Sequence, residues 1–360
     1  MKKTDVSEVR IKVVGVGGAG GNALARMTRR NDLGLELLAI NTDVQALSRI
    51  HDIPTFAIGP AVTRGLGSGG DPDIGRKAMR ESLEQLAQLL EGADMVFIAA
   101  GMGGGTGTGA APLIAETARK QGALTVGVVT RPFSFEGNRR REVSDLGTHT
   151  LQQKVDTLIA VANDKLLSSL DGKLPLESAF TVADEALRQG VEGITEIIRV
   201  PGLINVDFAD VRAVMADGGP AFMATGEGKG KTAAQDAVQA ALSNPMFDAP
   251  LEGCSGILLN IRGGKDLALA QVHEIAGIVR DASRSRAQVI FGVVNDRKWK
   301  KRVSVTVIAT GIGTKTQDFP ASTAGPAARA DNGRRAPRPG LPLTGNGHGS
   351  QAELATRKLL

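Results

Sequence analysis

Nine consecutive residues, Gly101-Met102-Gly103-Gly104-Gly105-Thr106-Gly107-Thr108-Gly109, constrain this chain more than any other stretch. Six of them are glycine and two are threonine. They follow an apolar run at 95–100 that reads as a buried strand, and they lead into an Ala-rich helical stretch at 110–120. Glycine lets backbone amides approach a ligand closely and reaches positive φ at little steric cost. Amides left unpaired at a helix start, backed by the helix dipole, form a cradle for anions. The two threonines offer hydroxyl donors beside it. A phosphate loop fits this setting better than a mobile linker, which does not ordinarily separate a hydrophobic strand from a helix.

A second glycine loop sharpens the reading. Ile11-Lys12-Val13-Val14-Gly15-Val16-Gly17-Gly18-Ala19-Gly20-Gly21-Asn22 runs strand, G-x-G-x-x-G, then a helix beginning near Asn22. A further strand at 35–40 ends in Asn41-Thr42-Asp43, an acid near the position where NAD enzymes hold the ribose. Taken alone, that unit describes an NAD(P)-binding Rossmann oxidoreductase, the alternative reading of the chain. Such a fold needs one cradle, whereas two converging ones suit the phosphate chain of a nucleoside triphosphate. No G-x-x-x-x-G-K-[ST] is present, so a lysine-tipped phosphate loop is excluded.

The rest of the chain narrows the class of protein. With 360 residues there is enough sequence for two cores. Strands are predicted at 11–16, 35–40, 95–100, 124–129 and 157–162, with helices at 73–90 and 110–120: a parallel α/β sheet with its ligand beyond the carboxyl ends of the strands. Phe180, Ala183, Leu187, Val191, Ile194 and Ile198 recur at helical spacing, which predicts one long helix over 175–200 before Pro201. Strands at 221–225, 256–262, 289–294 and 303–309, with helices at 232–242 and 267–280, then predict a smaller α+β region. One cysteine, Cys254, rules out an intramolecular disulfide. The histidines show no ligand spacing, so no protein-built metal site is expected. No apolar run approaches the ~20 residues of a membrane span, and the charged N-terminus lacks the apolar core of a signal peptide; a cytoplasmic location is expected. Of the net charge of +5, the stretch 320–360 carries six basic and two acidic residues. The body is therefore near neutral and offers no basic face for nucleic acid. That stretch, rich in proline and glycine, predicts a disordered basic tail. The cluster Arg297-Lys298-Trp299-Lys300-Lys301-Arg302 reads as a solvated hairpin loop.

The two glycine loops and three further stretches together resemble the tubulin/FtsZ family of self-assembling GTPases. Gly103 to Gly109 carries the tubulin-type signature GGGTGTG. The other matching stretches are Gly65-Leu66-Gly67-Ser68-Gly69-Gly70-Asp71-Pro72, Arg131-Pro132-Phe133-Ser134-Phe135-Glu136-Gly137, and Asn205-Val206-Asp207-Phe208-Ala209-Asp210-Val211-Arg212. The resemblance covers about Val9 to Thr314. It implies a flexible segment at 1–8, a GTP-binding domain at 9–174, a central helix at 175–202, an α+β domain at 203–315 and the basic tail at 316–360.

The resemblance also implies a site. GTP or GDP would be held by Gly18, Ala19, Gly20, Gly21 and Asn22, by Gly103, Gly104, Gly105, Thr106, Gly107, Thr108 and Gly109, and by Gly69, Gly70 and Asp71 near the terminal phosphate. Glu136 and Arg140 match positions on the sugar–phosphate side, although Arg139 and Arg141 flank the latter. Asp184 matches the guanine-binding position, where a carboxylate accepts the base's N–H donors. Asn205, Asp207 and Asp210 would reach the nucleotide of the next subunit and orient the attacking water. By themselves, two acids at a helix start are also a plain capping arrangement. Mg²⁺ would be held mainly through phosphates and water. A head-to-tail contact of this kind does not close, so a filament follows, with a division-site ring as its setting. Family members usually end in an acidic, Pro-x-Phe-containing peptide that docks on tethers. This sequence ends Gln351-Ala352-Glu353-Leu354-Ala355-Thr356-Arg357-Lys358-Leu359-Leu360 instead, so docking through another mode or other partners is expected.

Overall fold

Unbroken runs of Val, Ile, Leu and Ala, without period-two alternation, belong to strands covered on both faces. Such runs build the centre of this protein. The computed structural model describes residues 9–28, 33–168, 175–244, 251–284 and 287–312; the expectations for the N-terminal segment and the basic tail lie outside the described residues. Strands β1 (Ile11–Val16), β2 (Glu36–Asn41), β3 (Thr55–Ala57), β4 (Met95–Gly101), β5 (Leu124–Arg131) and β6 (Thr157–Ala162) are all parallel. Their order is β3-β2-β1-β4-β5-β6, the dinucleotide-fold order, with its crevice between β1 and β4. Both glycine loops leave the sheet at that crevice, one after β1 and one after β4.

The sheet then continues. β7 (Gly219–Lys229) joins β6 in parallel through three residue pairs only, Thr157 to Ile159 against Gly219 to Ala221. Beyond it lie β8 (Gly256–Gly263), β9 (Gln288–Asn295) and β10 (Arg302–Thr310), in the order β7-β10-β8-β9, with β10 antiparallel to both its neighbours. The predicted second set of strands is thus the far half of one ten-stranded sheet, with β9 at its outer edge.

Leu176–Arg199 forms the predicted long helix. Ala183, Leu187, Val191 and Ile194 are buried in a core shared with β4, β5 and β10. Truncating a residue such as Leu187 to Ala there costs about 2–5 kcal/mol. Gly190 permits this approach, since a Cβ on it would lie 2.5 Å from Val128 Cγ1. At the helix's far end Arg199 Nη2 donates to the Val9 carbonyl at 2.7 Å, just before β1 begins. The helix therefore runs from the carboxyl ends of the parallel strands to their amino ends.

Two helices are among the elements that depart from expectation. The helix predicted over 73–90 is two, Pro72–Glu81 and Leu83–Leu90. Ser82 between them leaves helical geometry (φ −107°, ψ 12°) and accepts a hydrogen bond from Gly59 N–H at 3.1 Å. The helix Asn138–Gln152 carries no apolar periodicity, because Ser144, Gly147 and Leu151 alone are buried along it. The basic cluster forms a short 3₁₀ turn, Arg297–Trp299, between β9 and β10. Two guanidinium groups approach the Trp299 ring, Arg262 at 5.7 Å and Arg302 at 4.6 Å from its centre. Arg262 also ion-pairs with Glu196 of the long helix.

Candidate functional site

The helix after β1 starts at Gly17 and the helix after β4 at Gly105, inside the glycine loop and five residues earlier than the sequence suggested. Residues 105–109 are helical although glycine is a poor helix former, because close packing replaces propensity. A Cβ on Gly105 would lie 2.3 Å from Ser68 Oγ, and one on Gly109 2.1 Å from the Pro72 carbonyl. Neither helix has a side-chain N-cap. Their first-turn N–H groups are left to the cleft between them, as an anion site requires. Gly18 and Gly104 have no heavy atom within 4 Å of a Cβ position. At those two points the cradle is bare backbone facing open space.

This cleft has a volume of about 500 Å³. Of the residues singled out in the sequence, Gly18, Ala19, Gly69, Gly70, Gly104, Gly105, Thr106, Gly107, Glu136, Arg140 and Asp184 line it. Gly20, Gly21, Asn22, Gly103, Thr108, Gly109 and Asp71 do not line it, and several have a visible packing role. Gly20 lets its helix lie on β4, where a Cβ would meet the Ala99 carbonyl at 2.2 Å. Thr108 Oγ1 accepts from Gly103 N–H at 2.9 Å, fixing the turn at φ +95°. Asp71 caps the helix at 72–81 by accepting from Asp73 N–H at 2.8 Å. Thr106 is less a free donor than a joint: its hydroxyl lies 2.7 Å from Thr42 Oγ1 and 3.1 Å from Ser68 Oγ, both buried. It ties together the loops after β2, before the helix at 72–81 and after β4.

At the other end the cleft changes character. Arg140 pairs with Glu136, whose second oxygen accepts from Phe133 N–H at 2.9 Å. Arg141 turns instead to Asp164, so of the three adjacent arginines it is Arg140 that lines the cleft. Phe180 and Asp184, one turn apart on the long helix, form a wall. Phe133 and Phe135 stack on each other and meet Phe180 edge-on, at 5.4 and 6.5 Å. Asp184 is buried, and burial pushes its carboxyl up to about 6, opposed by the Arg26 guanidinium 3.3 Å away. Asn163 also lines this end, and its buried Oδ1 has no hydrogen-bond partner. Sequence reasoning missed Asn163, Thr42 and Ser68. Asn163 directly follows β6, so the rule that ligands gather at strand carboxyl ends was the available signal. A polyphosphate at the glycine end and a ring with N–H donors at the aromatic–acid end satisfy both halves of this cleft.

Asn205, Asp207 and Asp210 are exposed and line no part of it. Asp207 caps the helix Phe208–Met215 through Asp210 N–H at 2.8 Å. Arg212 on that helix donates to the Gly122 carbonyl at 3.1 Å, in the turn that enters β5. These acids therefore sit by the amino ends of the strands, opposite the cleft. From Asp184 to Arg199 the long helix alone advances about 22 Å at ~1.5 Å per residue.

The strand order and twin glycine cradles define a nucleotide-binding α/β protein. Residues 10–171 match the family described as Tubulin/FtsZ family, GTPase domain, and residues 219–313 match FtsZ family, C-terminal domain. An empty FtsZ dimer from M. jannaschii superposes with a TM-score of 0.81 at 42% identity, covering 86% of this chain and 90% of that one. A point mutant of the same FtsZ gives 0.81 and 42%, covering 85% and 92%. CetZ2 from Haloferax volcanii, in a GTPgS-bound protofilament, shares the fold at a TM-score of 0.73 and 23% identity, covering 84% and 92%. The chain belongs to the tubulin/FtsZ family and is a GTPase. The oxidoreductase alternative finds no support in these matches.

Proposed function

We propose that copies of this chain stack head to tail and hydrolyse GTP at each junction, the cleft of one subunit being completed by Asn205, Asp207 and Asp210 of the next. The observation that carries this reading is the position of those three residues, exposed at the far end of the long helix from their own cleft. The relatives described as a dimer and a protofilament support it. Gly18, Ala19 and Gly104 to Gly107 hold the phosphates through backbone N–H groups, while Gly69 and Gly70 close over the terminal one. Glu136 and Arg140 lie on the sugar side. Phe180 stacks on the base, and Asp184 and Asn163 accept its N–H donors. Adenine offers an acceptor where guanine offers a donor, so Asp184 selects guanine.

In the junction, Asp207 and Asp210 polarise a water in line with the terminal phosphate and Asn205 orients it. No cluster of three or more His, Cys, Asp or Glu capable of holding a metal occurs among the described residues. Mg²⁺ would accordingly bind through phosphate oxygens and water, neutralising charge on the transferring phosphate. No helix among the described residues is long and apolar enough to cross a membrane. Attachment of a filament ring at the division site therefore falls to tethers and regulators engaging the tail at 316–360.

The test uses two variants with opposite defects. Asp210→Ala keeps its cleft but loses the acid. Gly104→Glu puts a carboxylate into the cradle where a Cβ meets nothing within 4 Å, so nucleotide is repelled without a clash. Each alone is nearly inactive. Mixed equally, about a quarter of random junctions pair a loaded cleft with an intact acid loop, and activity partly returns. If sedimentation confirms co-assembly and no turnover returns, Asp210 acts within its own subunit and the shared site is wrong.

A further inference from the structure

Of the three residues assigned to hydrolysis, Asn205 and Asp207 sit on the loop that leads into the helix Phe208–Met215 and Asp210 in that helix's first turn; the loop is held firmly at one place. Leu203 N–H donates to the Val293 carbonyl at 2.7 Å, and Val293 N–H donates to the Ile204 carbonyl at 3.0 Å. Val293 belongs to β9, the outermost strand of the sheet, so both bonds use an edge with no further strand beside it among the described residues. Gly202 N–H donates to Asn205 Oδ1 at 2.6 Å, which folds the loop's start back on its middle. Val206, the next residue, is buried beside Gly292. The close approach depends on Gly202. A Cβ there would lie 2.2 Å from the Val293 carbonyl oxygen and 3.0 Å from that of Ile204. Both are backbone atoms and neither can swing aside.

We propose that Gly202 is a positioning residue for hydrolysis: by lacking a side chain it lets residues 202–206 dock on the free edge of β9, which sets where Asn205 and Asp207 meet the neighbouring subunit's nucleotide. This rests on the shared-site reading above. Gly202 touches no nucleotide itself and acts through the loop's register on β9. A displaced loop leaves the cleft untouched, because that cleft lies at the carboxyl ends of the parallel strands, away from β9. Its signature is a split effect, with nucleotide affinity kept and turnover lost. Misplacing a reacting group by about 1 Å commonly costs up to ~100-fold in rate.

Three variants of the full chain test this. Gly202→Ala forces the loop off β9. Leu203→Pro deletes the N–H that reaches Val293 while altering a side chain that is 69% exposed, so it decides the matter should Gly202→Ala fail to fold. Gly292→Ala is the control, because its Cβ would meet Val206 at 3.4 Å and the Ile204 carbonyl at 3.6 Å, ordinary contacts. Melting, GDP affinity by titration, and GTP turnover per sedimented subunit are measured for each. The expected result is turnover down ten- to a hundredfold in Gly202→Ala and Leu203→Pro, GDP affinity within twofold of the parent, and Gly292→Ala unchanged. Parental turnover in a folded Gly202→Ala or Leu203→Pro overturns the proposal, as does a matching loss of GDP affinity. Loss of sedimentation with turnover also counts against it, since the loop would then supply contact rather than aim. Asp210→Ala, run alongside, separates the two ideas: if it retains turnover, the shared site itself has failed.

Discussion

The two ends of the parallel strands are built on opposite plans. At the carboxyl ends, several loops converge on one cleft, and backbone approach is so close that several glycines admit no methyl group. At the amino ends, three polar side chains stand in solvent on a loop held by a strand edge and on the first turn of the helix that follows it. The first plan fixes a ligand before it arrives, and the second leaves its work to be completed from outside. Under the proposed shared site, a protein arranged in this way binds nucleotide alone and hydrolyses it only beside a neighbour.

The sharpest way to break this contrast is Asp210→Ala. Turnover in the homopolymer should fall by about 10²–10⁴-fold, the usual worth of a positioned acid or base. GTP affinity should stay within twofold of the parent; a parallel loss of affinity in a titration would merge the two ends into one site. Specific activity of the parent should likewise rise with protein concentration above a threshold.

Asp184 tests the binding end. Asp184→Asn replaces one acceptor with a donor facing guanine's own N–H groups, costing ~1.5–3 kcal/mol, or about ten- to a hundredfold in GTP affinity. The pH dependence follows from its carboxyl lying at about 6. Below that pH it takes up a proton and ceases to be a double acceptor, so GDP affinity should fall as pH drops from about 7 to about 5, and flat binding across that range would argue against it. The sign for stability is opposite. The folded chain holds this proton more tightly than an unfolded chain with an ordinary 3.8, so in the free protein the burial penalty develops as pH rises from about 4 to about 6 and is constant above.

Two alanine substitutions within one loop sharpen the claim that the cradle is close-packed. Gly109→Ala drives a Cβ to 2.1 Å from the Pro72 carbonyl and should cost about 1–3 kcal/mol in thermal melts. Gly104→Ala meets nothing and should leave the melt within ~0.5 kcal/mol of the parent. Equal effects would mean the loop is loose. A modest effect is expected of Arg212→Ala, which removes an exposed hydrogen bond to the Gly122 carbonyl and should cost about 0.5–1 kcal/mol without changing nucleotide affinity.

The sheet was legible because its strands are uniformly apolar: β1 and β6 fall where the residues alone put them. Strand β3, three residues long and half-exposed, carries no such pattern. The helix 138–152 hides for the same reason, burying a serine and a glycine in place of large apolar groups. The glycine cradle was legible as chemistry, yet its division of labour was not. Gly18 and Gly104 face open space while Gly20 and Gly109 face neighbouring backbone, a difference set by contacts between segments far apart in the chain. Asn163 and Arg26 carried no motif at all, and only the convergence of β6 and the first helix on Asp184 brings them into view.

The contact of Trp299 with the Arg262 and Arg302 guanidinium groups has an optical consequence. The chain contains one tryptophan and no tyrosine, so ultraviolet emission excited in the indole band has a single source. That indole rests on a guanidinium whose other partner is Glu196 of the long helix. Any sliding of that helix against β8 must therefore alter the wavelength or yield of one lamp, with no dye attached. Stopped-flow emission after adding GTP would time such a movement in the unmodified protein.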